Sequence, residues 1–229
     1  MKVARQLAIS ALAVAVMLAL GFWGLSRTSA SVLAIRWNAA GQPVAWADRY
    51  VAFFMVPAIA AVTSLFLGAV PGLMPERSRI ERSAAAYTAL WMVSLFSMLV
   101  GQFVLVALNT GLQIYAPRLL GVLVAIMLFV TGNWMGKIRY NYLFGIRTPW
   151  TLADERVWDK THRLTGRLMV LGGVILLIAS FVLPRGPAPQ APGLLLIATY
   201  LVCAAGPLIA GVVYSIIISR PFRERRESP

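Results

Sequence analysis

Six long runs without a charged residue dominate this chain of 229 residues. An α-helix rises about 1.5 Å per residue, so roughly 20 apolar residues are needed to cross the hydrocarbon core of a bilayer. The runs cover residues 6–26, 50–75, 83–117, 119–136, 168–184 and 186–219. Turn-forming stretches that begin at Asn109 and Pro187 shorten the two longest runs to one span each. We therefore predict an all-α polytopic membrane protein with six transmembrane helices, at about residues 6–26, 50–70, 86–108, 118–136, 165–183 and 194–218.

The composition and the net charge agree with a membrane protein. Hydrophobic residues make up 59% of the chain and charged residues 13%, a balance that disfavours a soluble globular domain. The net charge of +13 is also typical of nucleic-acid binding. In this chain the excess positive charge lies beside the predicted spans, where the positive-inside bias and anionic lipid headgroups account for it. We therefore predict the lipid bilayer as a partner and no direct binding of nucleic acid.

Lysine and arginine are divided unequally between alternate connecting segments. With the N-terminus inside, 16 of the 21 basic residues lie in cytoplasmic segments and five lie outside. Because the cytoplasmic side retains positive charge, we predict that both termini are cytoplasmic. The first run also resembles a secretory signal peptide, but its apolar core exceeds the usual length of about 7 to 15 residues. We expect it to remain as a span.

Residue types that carry catalytic or metal chemistry are sparse. Cys203, the one cysteine, falls inside the last predicted span, and His162 is the one histidine. Neither a disulfide framework nor a zinc site of recognisable spacing can be built from them. The sequence also contains no nucleophile elbow and no glycine-rich phosphate loop. It therefore predicts no catalytic residue, no metal site and no cofactor, and it disfavours an enzyme.

Residues 132–163 interrupt the apolar sequence between the fourth and fifth spans. They hold His162, three of the eight acidic residues and a closely spaced basic set. Residues 138–146 are rich in aromatic side chains, and this stretch is too short and too interrupted to span the membrane. This pattern is typical of a re-entrant or interfacial element, in which Asn141 and Gly145 permit tight turns. The charge distribution predicts that this loop and the helix after it lie on the cytoplasmic face.

Pro149 divides this segment into two parts. It forces Thr148 towards an extended conformation, which ends any preceding helix. Thr151 has the features of an N-cap, and Asp154 lies three residues later, at the position that completes a capping box. We therefore predict a helix that begins at Thr151 and leads into the fifth span.

Two interpretations of residues 132–163 are open from the residues alone. In the first, the segment is architectural, with Trp158 and His162 packed together on one face of an interfacial helix. In the second, the segment binds a partner, and Arg147 is the strongest candidate. A guanidinium held beside a proline turn can bind a carboxylate or phosphate through paired hydrogen bonds.

An ordered set of residues runs through this segment and supplies our candidates for partner or ligand binding. It comprises Asn133, Gly136, Lys137, Asn141, Gly145, Arg147, Thr148, Pro149, Trp150, Asp154, Trp158 and His162. Their order and spacing resemble the signature region of the SdpI family of bacterial membrane proteins.

The predicted outer loop, residues 27–49, carries a second and looser resemblance. Its candidate residues are Arg36, Trp37, Asn38, Gly41, Pro43 and Trp46. They resemble the N-terminal domain of unknown function found in many members of the family. Two positions depart from the pattern: Arg36 stands where relatives usually have histidine, and Val44 stands where aspartate is common. We divide the chain into an N-terminal membrane region, 1–110, and an SdpI-like region, 111–229.

The resemblance implies an integral immunity and signalling protein of the bacterial cytoplasmic membrane. It implies that the outer loop and the spans resist or sense a secreted membrane-active toxin peptide. It further implies that the cytoplasmic segment sequesters a winged-helix transcriptional repressor. Such a protein needs only differential binding between two conformations, and no catalysis.

The alternative is a small-solute permease or channel, with Gln102, Asn109, Thr131 and Asn133 as candidate lining residues. The spans contain no ionisable coupling residue, which argues against a proton-coupled carrier but not against a passive pore. The sequence leaves the oligomeric state open. Glycine-rich helix faces at Gly166, Gly172 and Gly173 would allow close contact within one chain or between chains.

Overall fold

The computed structural model describes residues 3–38, 42–73, 83–142, 144–183 and 193–227, with side chains described as far as residue 219. Gly41 and the proline-rich stretch that begins at Pro187 lie outside the described residues. The described part of the chain forms seven helices and one two-stranded sheet. In order these are α1 (Val3–Arg27), β1 (Val32–Trp37), β2 (Pro43–Asp48), α2 (Arg49–Leu73), α3 (Ala84–Asn109), α4 (Ala116–Met135), α5 (Pro149–Ala153), α6 (Glu155–Val182) and α7 (Leu194–Glu227).

Six of these helices are long and apolar enough to cross a membrane, which confirms the predicted number of spans. They are α1, α2, α3, α4, α6 and the Leu194–Ser219 part of α7. In each of these helices, between 22% and 44% of the most apolar stretch of 18 residues is buried inside the protein. The remaining apolar faces point outwards, where lipid is the environment that accommodates them.

The helix α6 begins at Glu155, about ten residues before the start of the predicted fifth span at about residues 165–183. At 1.5 Å per residue its 28 residues extend about 42 Å, whereas the hydrocarbon core is about 30 Å thick. The first turns of α6 therefore project beyond the apolar core. They carry Trp158 and His162.

Close contacts between glycine and aromatic residues hold α1, α2 and α3 together. A Cβ atom at Gly24 would lie 2.9 Å from the Phe53 ring, so only glycine allows α1 and α2 to approach this closely. From α3, the buried Gln102 Nε2 donates a hydrogen bond to the Phe53 carbonyl oxygen at 2.8 Å. Trp91 Nε1 donates to Ser10 Oγ at 3.2 Å. Polar side chains in an apolar bundle are therefore used to connect helices.

Backbone contacts between small residues hold α4, α6 and α7 together. A Cβ atom at Gly132 would lie 2.6 Å from the Gly166 carbonyl oxygen, and one at Gly173 would lie 2.8 Å from the Ala125 carbonyl oxygen. On its other side, α6 approaches α7, where a Cβ atom at Gly172 would lie 3.0 Å from the Cys203 carbonyl oxygen. The glycine faces singled out in the sequence therefore make their contacts within one chain.

The segment between α1 and α2 is a β-hairpin, which the sequence did not predict within the outer loop. Strands β1 and β2 pair antiparallel, with Leu33 opposite Ala47 and Ala34 opposite Trp46. Asn109, at the end of α3, holds the hairpin to the bundle. Its Oδ1 accepts a hydrogen bond from Ala34 N at 3.1 Å, and its Nδ2 donates to the Ala34 carbonyl oxygen at 3.0 Å. An asparagine amide thus satisfies both backbone groups of one strand residue.

The bundle has two distinct ends. The hairpin end contains β1, β2, the connection from α3 to α4 and the start of α7, where Tyr200 Oη donates to the Pro117 carbonyl oxygen. The signature end contains the start of α3, the loop from α4 to α6 and the end of the Leu194–Ser219 span of α7. There Arg139 N donates to Ser83 Oγ at 3.0 Å, and Thr148 Oγ1 lies 3.2 Å from Ser215 Oγ.

Replacing Asn109 with alanine will release the hairpin from α3. We expect Asn109→Ala to cost about 1–3 kcal/mol, because both backbone groups of Ala34 lose their partner. Amide hydrogen exchange in residues 32–48 will accelerate. The matched control is Gln113→Ala, which truncates an exposed side chain in the same connection. Equal exchange in both variants would show that other contacts hold the hairpin.

Candidate functional site

The candidate site at the signature end is built on the first two turns of α6. Trp158 and His162 lie four residues apart, and their rings stack at a centroid distance of 4.1 Å, as their spacing predicted. Trp158 is 0% exposed and His162 is 1% exposed. Trp158 Nε1 donates a hydrogen bond to the Ile138 carbonyl oxygen at 2.9 Å. The loop from residue 138 to residue 148 therefore folds back over this pair.

Hydrogen bonds define the protonation of His162. Ile146 N donates to His162 Nε2 at 2.9 Å, so this ring nitrogen is an acceptor and carries no proton. His162 Nδ1 lies 2.8 Å from the Trp158 carbonyl oxygen, to which it must donate. The imidazole is therefore neutral, with its proton on Nδ1. It fixes the loop backbone at Ile146 and is not placed as a proton shuttle.

Gly145 is the position at which the loop touches the stacked rings. Its φ angle of +121° is one that glycine adopts readily and residues with a Cβ atom adopt rarely. A Cβ atom here would lie 2.5 Å from His162 Nε2 and 3.0 Å from the Trp158 ring. Both the backbone conformation and the available space therefore require glycine.

Asn141 closes the first turn of the loop. Its Nδ2 donates to the Arg139 carbonyl oxygen at 2.8 Å, and its Oδ1 accepts from Phe144 N at 2.9 Å. Asn141 is 2% exposed, so its amide satisfies backbone groups that water does not reach. Tyr140 closes the loop further along, where its hydroxyl donates to the Leu152 carbonyl oxygen at 2.8 Å.

The prediction that a helix begins at Thr151 is wrong. Thr148 is the N-cap of α5: its side chain accepts from Thr151 N at 3.2 Å, and Thr151 Oγ1 accepts from Thr148 N at 2.9 Å. Pro149 occupies the first turn of this helix, where its fixed φ is already suitable and its missing N–H has no cost. The helix therefore begins before Thr151, which completes the capping box rather than starting the helix.

Asp154 begins a second helix instead of completing a capping box with Thr151. It is extended, with φ −148° and ψ 124°, and its carboxylate accepts a hydrogen bond from Arg156 N at 2.8 Å. The Arg156 guanidinium also donates to this carboxylate, and this interaction lowers the pKa of Asp154. The chain therefore has a corner between α5 and α6 that the sequence did not predict.

The remaining signature residues point outwards. Arg147 is exposed and Trp150 is half-buried. Asn133, Gly136 and Lys137 lie on one wall of an open cleft between α4 and α6. Within the described ranges, no group of three or more His, Cys, Asp or Glu side chains is placed to hold a metal ion. The site can therefore present a fixed basic and aromatic surface to a partner.

The hairpin candidates lie at the opposite end of the bundle from the signature residues. Trp37 and Asn38 line a pocket of about 540 Å³ between the hairpin and the helices, together with Ile35, Val104, Pro117 and Tyr200. Asn38 also closes the hairpin: its Oδ1 accepts from Gln42 N at 2.9 Å. Arg36, Pro43 and Trp46 are exposed and do not line this pocket.

Sequence reasoning missed most of the residues that line this pocket. Ile35, Val104, Pro117 and Tyr200 come from four different elements of the chain. No local motif connects residues so far apart. The one sequence signal for this pocket was the Trp37–Asn38 pair, which forms only the wall of the pocket that the hairpin contributes.

Replacing Gly145 with alanine will destabilise the signature loop. Gly111 provides a matched control, because its φ is also positive, at +76°, but a Cβ atom there would meet nothing within 4 Å. Gly111→Ala should cost about 1 kcal/mol for the backbone alone. We expect Gly145→Ala to cost at least about 1 kcal/mol more, because the methyl group also displaces His162. Thermal unfolding in detergent measures the difference, and equal costs would contradict the contact with His162.

Comparison with known proteins found a family match and a similar protein. Residues 137–218, from the signature loop to the membrane part of α7, match the model of the SdpI/YfhL protein family. The chain is also similar to Immunity protein SdpI of Bacillus subtilis (strain 168), at 26% identity over 147 residues that cover 64% of this chain and 68% of that protein. No solved structure matches the chain. Residues 137–218 of this multi-pass bacterial membrane protein are therefore similar to the SdpI/YfhL protein family.

Proposed function

We propose that this protein is an immunity protein that resists or senses a secreted membrane-active toxin peptide, which it engages at the hairpin end. The similarity to a protein named as an immunity protein supports membrane immunity as the function class. The observation that carries the proposal is the pocket beneath the hairpin. It lies where an apolar peptide would first meet the protein if the hairpin end faces outwards.

The pocket suits apolar side chains. Its volume of about 540 Å³ lies within the range of roughly 300–1,000 Å³ that ligand pockets occupy. Leu105, Leu108 and Leu120 contribute to its walls, with Trp37 and Asn38 on the hairpin side. Burying each large apolar side chain contributes about 1.5–3 kcal/mol. Two or three such side chains together contribute about 3–9 kcal/mol before the cost of association is subtracted.

The proposed orientation places both termini in the cytoplasm and the hairpin outside. In this orientation 16 of the 21 basic residues lie on the inner side, as the positive-inside rule favours. The signature end then faces the cytoplasm. Residues 1–110 supply the toxin-facing hairpin, and residues 111–229 supply most of the inner surface.

The signature end is the surface proposed to sequester a winged-helix repressor. Four buried residues fix the conformation of the loop: Asn141 within it, Thr151 in α5, and Trp158 and His162 in α6. Arg147 is exposed on that fixed loop, beside the half-buried Trp150. A guanidinium and an indole on a rigid loop form a compact recognition surface, since arginine and tryptophan dominate protein interfaces energetically.

The test at the hairpin end compares its two tryptophans. A Bacillus subtilis strain that lacks its own immunity protein is made to express this chain and is grown with toxin-producing parental cells. Trp37→Ala removes an aromatic wall of the pocket and should lower the tolerated toxin concentration about 30-fold, the equivalent of about 2 kcal/mol.

The control in this test is Trp46→Ala, which truncates an exposed tryptophan of the same hairpin outside the pocket. It should leave tolerance within about twofold of the unmodified chain. Equal losses in both variants, at equal membrane levels, would move the binding surface from the pocket to the exposed hairpin. Failure of the unmodified chain to protect the cells would overturn toxin resistance itself.

Arg147→Ala tests the signature end. Because Arg147 is exposed, the variant should fold and keep its protective effect, but a fluorescent winged-helix regulator should no longer collect at the membrane. The control is Arg139→Ala, which removes another exposed arginine of the same loop. Recruitment by the unmodified chain would itself place the signature end inside the cell. Undiminished recruitment by Arg147→Ala would contradict a binding role for this residue.

A further inference from the structure

The cleft between α4 and α6 at the signature end has no role in either activity proposed above. Its volume is about 450 Å³. One wall carries Asn133, Gly136 and Lys137, and the other carries Arg163, Gly166 and Arg167. The two helices that form it are also the most extensively packed pair in the bundle.

Three cations face this cleft, and no acidic side chain is among its lining residues. Arg163 and Arg167 are one helical turn apart, a spacing at which like charges repel. The nearest ion pair, from Arg163 Nη2 to Asp159 Oδ2, is 3.8 Å long, and its arginine side chain is 62% exposed. An exposed pair at this distance neutralises little charge. Apart from this weak pair with Asp159, no acidic side chain among the described residues lines the cleft to offset its three cations.

The glycines give the cleft its shape. The backbones of Gly132 and Gly166 meet at its base, where a Cβ atom on either would lie 2.6 Å from the carbonyl oxygen of the other. At the rim, a Cβ atom on Gly136 would lie 3.3 Å from Arg163 Cγ. The aliphatic stem of Arg163 therefore crosses Gly136, which holds the guanidinium at the mouth of the cleft.

An exposed apolar surface continues from the cleft along both helices. On α6, Leu171 is one turn beyond Arg167 and is 56% exposed, and Val174 and Ile178 follow at 42% and 57%. On α4, Phe129 is one turn before Asn133 and is 50% exposed. Residues three and four apart share a helix face. The face of α6 that is cationic at the cleft is therefore apolar further along the helix, and the face of α4 changes in the same way from polar to apolar.

We propose that this cleft binds the phosphate group of an anionic phospholipid. Guanidinium groups hold phosphate oxygens through paired hydrogen bonds, and Lys137 adds a third positive charge. The acyl chains lie along the apolar stripe that contains Phe129, Leu171 and Val174. The adjacent apolar surface favours a lipid over a soluble phosphate, since a soluble ion would make no use of that surface.

Lipid-induced thermal stabilisation of the purified full chain in non-ionic detergent tests this site. The chain is titrated with phosphatidylglycerol, with phosphatidylcholine and, at matched ionic strength, with inorganic phosphate. We expect the strongest stabilisation from phosphatidylglycerol. Arg163→Gln/Arg167→Gln should weaken its apparent affinity about 25-fold, at about fivefold for each basic residue near an anionic lipid surface.

The control is Arg139→Gln/Lys160→Gln, which removes the same charge from the same end of the molecule at positions that do not line the cleft. It should change the apparent affinity by no more than about twofold, because exposed charges at a distance are screened. Lys137→Gln, on the opposite wall, should weaken binding about fivefold. If the arginine double variant does not fold, the affinity of the Lys137→Gln variant for phosphatidylglycerol tests the site.

Two results would overturn the proposal. Equal weakening by the two double variants would show diffuse attraction to a basic surface rather than a site. Stabilisation by inorganic phosphate as strong as that by phosphatidylglycerol would show a soluble-anion site rather than a lipid site. Loss of phosphatidylglycerol stabilisation in the cleft variants alone supports the site.

Discussion

The stacked pair of Trp158 and His162 on α6 is the contact on which the signature end depends. Three residues of the loop before α5, Ile138, Asn141 and Ile146, are buried, so their backbone polar groups need partners other than water. Trp158 Nε1 satisfies the Ile138 carbonyl oxygen, and His162 Nε2 satisfies Ile146 N. The closeness of the loop to these rings then requires glycine at position 145. A short irregular loop is thus fixed by side chains of the helix that follows it.

Buried and exposed residues divide the two interpretations of this segment between them, and the binding role belongs to the proposal above. Asn141, Thr151, Trp158 and His162 are buried, and their hydrogen bonds end within the chain. Their role is architectural. Arg147 is exposed on the loop that they hold. An ordered loop loses less conformational entropy when a partner binds, so the buried residues increase what an exposed arginine can contribute to affinity.

One helix connects the two ends of the molecule. Near its start, α7 contributes Tyr200 to the pocket beneath the hairpin, and near the end of its membrane span it places Ser215 Oγ 3.2 Å from Thr148 Oγ1 in the signature loop. Glycine contacts fix α7 against α6 between these points. A pocket at one end and a loop at the other are therefore attached to the same rigid element.

The sequence by itself determined the number of spans, because uncharged runs of this length are stable only in lipid. It also determined that Trp158 and His162 share a helix face, since that follows from a spacing of four residues. Tertiary structure decided the rest. Thr148 and Thr151 are both competent N-caps, and only the fold selected Thr148. The hairpin depends on Asn109, about 75 residues away from Ala34 in the chain. The pocket and the basic cleft join residues from separate helices, and no local pattern records which helices will be neighbours.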